Sequence, residues 1–239
     1  MSQQNKMNVD LIIEARWIVP VVPKNQYLEN AAVAVHQGKI VAIDAADVVR
    51  SNYQAEKTVH LNEHVLIPGL VNLHAHLGMT LMRGLADDLP LMQWLEHHIW
   101  PAEQQLVSER FVRDSALLGC AEMLAGGVTC VNDMYFYPQA TAEATLQAGI
   151  RANLGLVVLE FPTNYANSAD DYIEKGLNHR DEWRGQDLIS ASFAPHAPYT
   201  VSDSTFEKIV TYAEQLSLGI HTHLHETLDE VSQSLEQYG

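Results

Sequence analysis

The 239 residues carry 14 Lys and Arg against 30 Asp and Glu, a formal net charge of −16, with 47% hydrophobic and 18% charged residues. Apolar material on this scale builds a sizeable core in one large domain or two small ones, which excludes disorder as the dominant state. No basic stripe exists to neutralise phosphates, so no nucleic acid is expected as a partner. No run approaches the roughly 20 apolar residues of a membrane helix, so no membrane partner is expected either.

The start, Met-Ser-Gln-Gln-Asn-Lys-Met-Asn-Val-Asp, has neither the charged head nor the apolar stretch of a signal peptide, and the expected location is cytoplasmic. From Val9 to about Pro68, short β-rich runs are broken by turns: Leu11–Ile13, Ala31–Val35, a Gln37-Gly38-Lys39 turn, then Ile40–Ile43. This predicts a small hairpin-built sheet over residues 1–67. After Pro68-Gly69 the rhythm changes to strand-like runs alternating with helical stretches, the pattern of βα units around a parallel sheet. Strands are expected at Leu70–Leu77, Val128–Tyr135, Ile150–Leu159, Leu188–Pro195 and Gly219–His225. Helices are expected near Leu91–Gln104, Glu109–Ala125, Gln139–Ala148, Asp170–Trp183 and Ser204–Leu216, the last with capping-box spacing between Ser204 and Glu207, and another begins at Leu228. A closed (β/α)8 barrel needs eight strands and ~250 residues. Residues 68–239 therefore read either as a five-stranded doubly wound sheet or as the first five units of a larger barrel. Cys120 and Cys130 lie in apolar segments without a CxxC pair and are expected to be buried free thiols.

The chain holds 12 histidines, with His74/His76, His97/His98 and His221/His223/His225 closely spaced and His196 set between prolines. Such grouping points toward metal or proton-transfer chemistry. His74 and His76 end an apolar strand. Residues two apart on a strand face the same way, so the pair forms a two-ligand clasp for zinc or a similar ion, against the plainer reading of two hydrogen-bonded histidines. In Ile220-His221-Thr222-His223-Leu224-His225-Glu226, alternation places all three histidines on one face, and the spacing does not say which of them binds metal. Glu226 reads either as a carboxylate that takes a proton from metal-bound water or as an ordinary acid at a helix N-terminus. In Pro195-His196-Ala197-Pro198 the flanking prolines end the strand and hold the imidazole in a rigid loop. Trp94, His97, His98, Trp100 and Glu103 fall in one amphipathic stretch, as helix surface or core. Asp133 suits either support of a metal ligand or a helix cap. Glu160 and Asp170-Asp171 read as solvated loop and helix-start acids.

Taken together, Leu66-Ile67-Pro68-Gly69-Leu70-Val71-Asn72-Leu73-His74-Ala75-His76, Thr80-Leu81-Met82-Arg83-Gly84, Ala194-Pro195-His196-Ala197-Pro198-Tyr199 and His223-Leu224-His225-Glu226-Thr227 resemble the amidohydrolase superfamily. Within it they resemble the methylthioadenosine/S-adenosylhomocysteine deaminases and their triazine-chlorohydrolase relatives. The resemblance implies an α/β fold: a metal-dependent (β/α)8 TIM barrel, here truncated after the fifth strand, beside a small N-terminal β-sandwich portion. It implies that His74, His76 and His223 ligate one Zn2+ per subunit or another divalent metal. Glu226 would be the catalytic proton shuttle between the metal-activated water and the purine ring, His196 would contact the substrate, and Glu103 would hold the ribose hydroxyls. The expected reaction is hydrolytic deamination of an adenine nucleoside or thioether (5′-methylthioadenosine, adenosine or S-adenosylhomocysteine) with release of ammonia. The partner is then a small-molecule purine nucleoside, with a homo-oligomer left open.

The family's further histidine from the sixth strand and metal-binding aspartate from the eighth have no counterpart in the 239 residues, so the chain alone is expected to be catalytically incompetent. The segment Leu154–Thr163 supplies no arginine for a homocysteine carboxylate, which favours methylthioadenosine or adenosine. The alternatives are an amidohydrolase acting on a triazine or guanine-like base, with the same metal site, and a non-catalytic metal-binding fragment.

Overall fold

The computed structural model describes residues 6–239. They fall into two compact units, one ending at Gly69 and the other spanning Leu70–Gly239.

In the first unit, β1 (Met7–Ile18), β2 (Leu28–His36), β3 (Lys39–Ala45) and β4 (Tyr53–Leu66) form one sheet in the order β3-β2-β1-β4, with α1 (Ala46–Asn52) between β3 and β4. The β2–β3 hairpin closes at the expected place. His36 pairs with Lys39, and Gln37 and Gly38 both take positive φ (50° and 72°), as a two-residue turn matched to strand twist requires. Asp10 accepts the Gln37 N–H and pairs with His36 Nδ1 at 3.1 Å, which holds the non-glycine residue in its left-handed conformation. The sheet is not wholly hairpin-built: β4 runs parallel to β1, with Leu11 opposite Lys57 and Ala15 opposite Leu61. Val9, Ile12, Ala32 and Ala34 pack against Val49 of α1, while Ala15, Ile18, Ala31 and Val33 form a second cluster.

The second unit holds five parallel strands: β5 (Leu70–Ala75), β6 (Val128–Tyr135), β7 (Arg151–Val158), β8 (Ile189–Pro195) and β9 (Gly219–Ile220). Their order in the sheet is the order in the chain. A doubly wound sheet reverses strand order at a switch point. Sequential order with helical crossovers is that of consecutive units of a (β/α)8 barrel, which decides between the two sequence readings. After β5 come a 3-10 turn (Leu77–Met82), then α2 (Leu91–Trp94), a π turn (Leu95–Ile99), α3 (Trp100–Leu106) and α4 (Glu109–Ala125). The remaining crossovers are α5 (Pro138–Ala148), α6 (Ala169–Glu182) and α7 (Asp203–Leu216), and α8 (Leu228–Tyr238) follows β9.

Each of four helices starts on a hydroxyl that accepts an otherwise unpaired backbone N–H: Ser108 from Phe111, Ser168 from Asp171, Ser202 from Thr205 and Thr227 from Glu230. The cap of α7 is thus Ser202 rather than Ser204. The main core lies where Val131, Leu154, Leu156 and Phe193 of the strands meet Cys120, Tyr172 and Ile209 of the helices. Burial pushes the Cys120 thiol up to about 11, and Cys130 is half-buried; both are free. Among the described residues no helix is long and apolar enough to cross a membrane.

Two expected elements differ. The fifth strand ends at Ile220 instead of reaching His225, and the chain turns left-handed at His225 (φ 58°). The expected helix from Leu91 to Gln104 is interrupted by the π turn, a local insertion frequent at functional sites.

Candidate metal centre and substrate cavity

His74 is the fifth residue of β5 and His76 lies one residue beyond its end, yet the two rings still meet, with Nε2 atoms 3.1 Å apart. His223 arrives from the segment after β9, with its Nε2 3.2 Å from that of His74. One nitrogen from each of the three residues lies within 4.8 Å of the others. His76 Nδ1 donates to the Met134 carbonyl at 2.7 Å, and His223 Nδ1 donates to the His196 carbonyl at 3.0 Å. A carbonyl only accepts, so in His76 and His223 the proton sits on Nδ1 and each Nε2 is left as an acceptor beside His74 Nε2. Three imidazole nitrogens gathered this closely, two of them bare acceptors, make a donor set that a cation can take up. Four-coordinate zinc with bonds of ~2.0–2.1 Å puts neighbouring nitrogens about 3.3–3.4 Å apart, close to the observed spacing, so the donor set fits such an ion. Burial holds His76 down to about 4, against the opposing Met134 hydrogen bond, which keeps the ring neutral and its lone pair available.

The neighbouring segments fix the remaining groups. His196 follows β8; its Nδ1 lies 2.9 Å from Thr200 Oγ1, and Thr200 donates its only proton to the Ala197 carbonyl. His196 Nδ1 is therefore the donor of that pair and Nε2 is left as an acceptor. Burial, with His223 and His76 adding to it, lowers His196 to about 3. Glu226 accepts a 3.0 Å hydrogen bond from Tyr199 through Oε2. Glu103, half-buried on α3, accepts from the Tyr135 hydroxyl at 2.7 Å; burial pushes its carboxyl above the usual range and that hydrogen bond opposes the push. A cavity of about 550 Å³ joins His76, His196, His223 and Glu226 to Glu103, walled by aromatic residues such as Trp100 and Phe161. Among the described residues its lining includes no Lys or Arg.

The other candidates stand apart from this arrangement. His221 bonds Ser192 Oγ at 2.9 Å, and His225 is exposed in the left-handed turn, so the three histidines split by direction once the strand has ended. His97 and His98 do not line the cavity, whereas Trp94 does. Asp133 is fully buried, raised to about 7 by burial, and accepts the Leu77 N–H at 2.7 Å, which ties the start of the 3-10 turn after His76 to β6. Glu160 is not a free loop acid, since it accepts from both the backbone N–H and the hydroxyl of Ser202.

Three contributors were not singled out from the sequence. Tyr135 seats Glu103. Asn164, in the loop after β7, places its amide nitrogen 3.3, 3.0 and 3.0 Å from the carbonyls of Glu103, Gln104 and Val107, so it closes the end of α3. Glu230 grips the turn that carries Glu226, and the Thr227-x-x-Glu230 spacing was a readable signal for it.

Residues 65–239 match the model of the amidohydrolase family. The chain is 47% identical over 235 residues to a 5-methylthioadenosine/S-adenosylhomocysteine deaminase of Saccharophagus degradans, covering 98% of this chain and 53% of that protein. It is 43% identical to the deaminase of the same name from Teredinibacter turnerae, with the same coverage. Among solved structures it superposes on a zinc-bound adenosine deaminase from Xanthomonas campestris with a TM-score of 0.94 and 47% identity, covering 98% of this chain and 54% of that one. An atrazine chlorohydrolase from Arthrobacter aurescens, 22% identical with a TM-score of 0.85 over 96% of this chain and 56% of its own, shares the fold. The chain spans about half the length of the curated relatives it matches.

Proposed function

Because the chain belongs to the amidohydrolase family, we propose that it forms part of a metal-dependent hydrolytic deaminase of adenine nucleosides, with 5′-methylthioadenosine or adenosine preferred over S-adenosylhomocysteine. The observation that carries this reading is one cavity that unites His76, His223, His196 and Glu226 with Glu103 and, among the described residues, offers no Lys or Arg to an anionic substituent. The names of the relatives support it.

In this reading His74, His76 and His223 hold one zinc ion per subunit. When bound, zinc supplies the Lewis acidity that makes a water nucleophilic at neutral pH. Glu226 is the proton carrier. Tyr199 occupies its Oε2, which leaves Oε1 to take a proton from the attacking water and deliver it to the purine ring nitrogen beside the amino-bearing carbon. His196, neutral at physiological pH, offers Nε2 as an acceptor to the substrate. Glu103 has one oxygen engaged by Tyr135 and the other free to accept from a ribose hydroxyl. Aromatic walls cover the base and the 5′ substituent and exclude water. Ammonia leaves as the ring carbon gains oxygen. Two unpaired thiols favour a cytoplasmic setting.

The test uses the complete protein that carries this sequence, with ammonia and chloride release measured on a panel of 5′-methylthioadenosine, adenosine, S-adenosylhomocysteine, guanine and a chlorotriazine. Glu226→Gln is expected to retain zinc and lose turnover by about 100-fold or more. His223→Ala is expected to lose zinc as well. Release from guanine or the triazine alone would replace the adenine-nucleoside reading.

A further inference from the structure

We propose that Glu230 is a positioning residue that sets Glu226 for proton transfer, an inference that rests on the role proposed above for Glu226. Glu230 lies in the first turn of α8 and is only 6% exposed, unusual burial for a carboxylate. Thr227 caps the helix and accepts the Glu230 N–H at 3.1 Å, so the two residues have capping-box spacing. In that motif the acid reaches back to the N–H of the cap residue itself. Here it reaches further: Oε1 accepts the His225 N–H at 2.8 Å and Oε2 accepts the Glu226 N–H at 2.6 Å.

The reach has a geometric consequence. The chain leaves β9 at Ile220, is anchored at His223 by the His196 carbonyl, and reverses at the left-handed His225. Two consecutive N–H groups, which no sheet or helix partner satisfies, converge on one carboxylate just past that reversal. Glu226 is thereby held twice, through its backbone by Glu230 and through its side chain by Tyr199. Neither bond places Glu230 on the substrate, since it is absent from the cavity lining. Its effect passes through Glu226, whose oxygen must stay within hydrogen-bond reach of both the water and the ring nitrogen. A displacement of about 1 Å at such a group can cost about 100-fold in rate.

The experiment compares Glu230→Gln, Thr227→Ala and Glu226→Gln in the complete protein, reading kcat, KM, bound zinc and melting temperature. Glu230→Gln keeps the shape of the side chain but turns an amide NH2 toward one of the two N–H groups. It is expected to lower kcat at least about tenfold while KM changes less than about threefold and zinc stays at wild-type stoichiometry. Thr227→Ala removes the cap and leaves both bonds to Glu230, so it is expected to lower the melting temperature with kcat close to wild type. If Glu230→Gln does not fold, Glu230→Asp is read instead; it keeps both oxygens on a shorter arm, and the expectation is a loss of kcat with zinc retained. The proposal is overturned if the Glu230 variant keeps kcat within about twofold of wild type. It is also overturned if Thr227→Ala lowers kcat as much, which would reduce Glu230 to a helix cap. Turnover that survives Glu226→Gln would instead overturn the proton-carrier reading, and this inference with it.

Discussion

The Tyr135 hydroxyl, at the last residue of β6, donates a 2.7 Å hydrogen bond to Glu103 on α3, 32 residues earlier in the chain. Burial, reinforced by the neighbouring carboxylate, raises the tyrosine, so the proton stays on the phenol and Glu103 remains the acceptor. The pair joins a barrel strand to the broken helix above it and leaves one carboxylate oxygen unengaged.

Tyr135→Phe removes that donor. A hydrogen bond to a charged group contributes about 1.5–3 kcal/mol, so KM for adenosine is expected to rise about tenfold or more, with a smaller effect on kcat. For 2′,3′-dideoxyadenosine, which lacks the hydroxyls Glu103 would hold, KM should barely move. An equal rise for both nucleosides would remove Glu103 from ribose recognition.

Gly78 sits against the same ring. A Cβ there would lie 2.0 Å from Tyr135 Cδ1 and 2.5 Å from Cε1, so Gly78→Ala must displace the tyrosine or the 3-10 turn. Overpacking of this kind costs about 1–3 kcal/mol. Urea unfolding should show an earlier midpoint, and an unchanged midpoint would show that the ring moves aside freely.

The convergence of His74, His76 and His223 on one point predicts that metal stabilises the fold. A ligand at 100 times its Kd adds about 2.7 kcal/mol. Chelation should lower the melting temperature and abolish ammonia release. Zinc should restore both, and magnesium, which prefers oxygen ligands, should not. Indifference of the melting temperature to chelator and zinc would count against a resident metal.

Glu160 links β7 to the start of α7 by accepting from the Ser202 hydroxyl and N–H, and these bonds, with Thr205, hold its carboxyl below the usual range. A depressed acid stabilises the folded state fully above its unfolded pKa, and the contribution is lost as pH falls through the folded value. Glu160→Gln should therefore be less stable than wild type at pH 7, by about 0.5 kcal/mol after solvent screening. The gap should close as the acid limb is descended. A gap that persisted at low pH would have another origin.

The parts legible in the sequence were those fixed by local chemistry. The Gln37-Gly38 turn, the apolar strands β6 to β8 and the two-residue spacing of His74 and His76 each carry their own signal. The end of β9 did not, because period-two alternation continues through His221, His223 and His225 while the backbone departs at Ile220. Beyond the strand the path is held by groups distant in sequence, the His196 carbonyl at His223 and the Glu230 carboxylate at His225. β4 was missed because Gln54, Glu56, Lys57, His60 and Glu63 give a sheet-edge strand the polarity of a loop. Glu103 entered only through family resemblance. Its place depends on a π turn and on Asn164, and neither leaves a periodic trace.

The grip of Asn164 on the carbonyls of Glu103, Gln104 and Val107 bears on how such proteins diversify. Loops after barrel strands are the usual units of exchange between relatives with different chemistry. Here the loop after β7 is also the terminus of a helix encoded some 60 residues earlier, and the Tyr137 hydroxyl ties it down by donating to the Asn164 carbonyl at 2.6 Å. A graft of that loop alone would leave α3 without its clasp. The heritable module is the loop together with the helix, and recombination that separates them should yield chimeras that keep the barrel and lose the seat of Glu103.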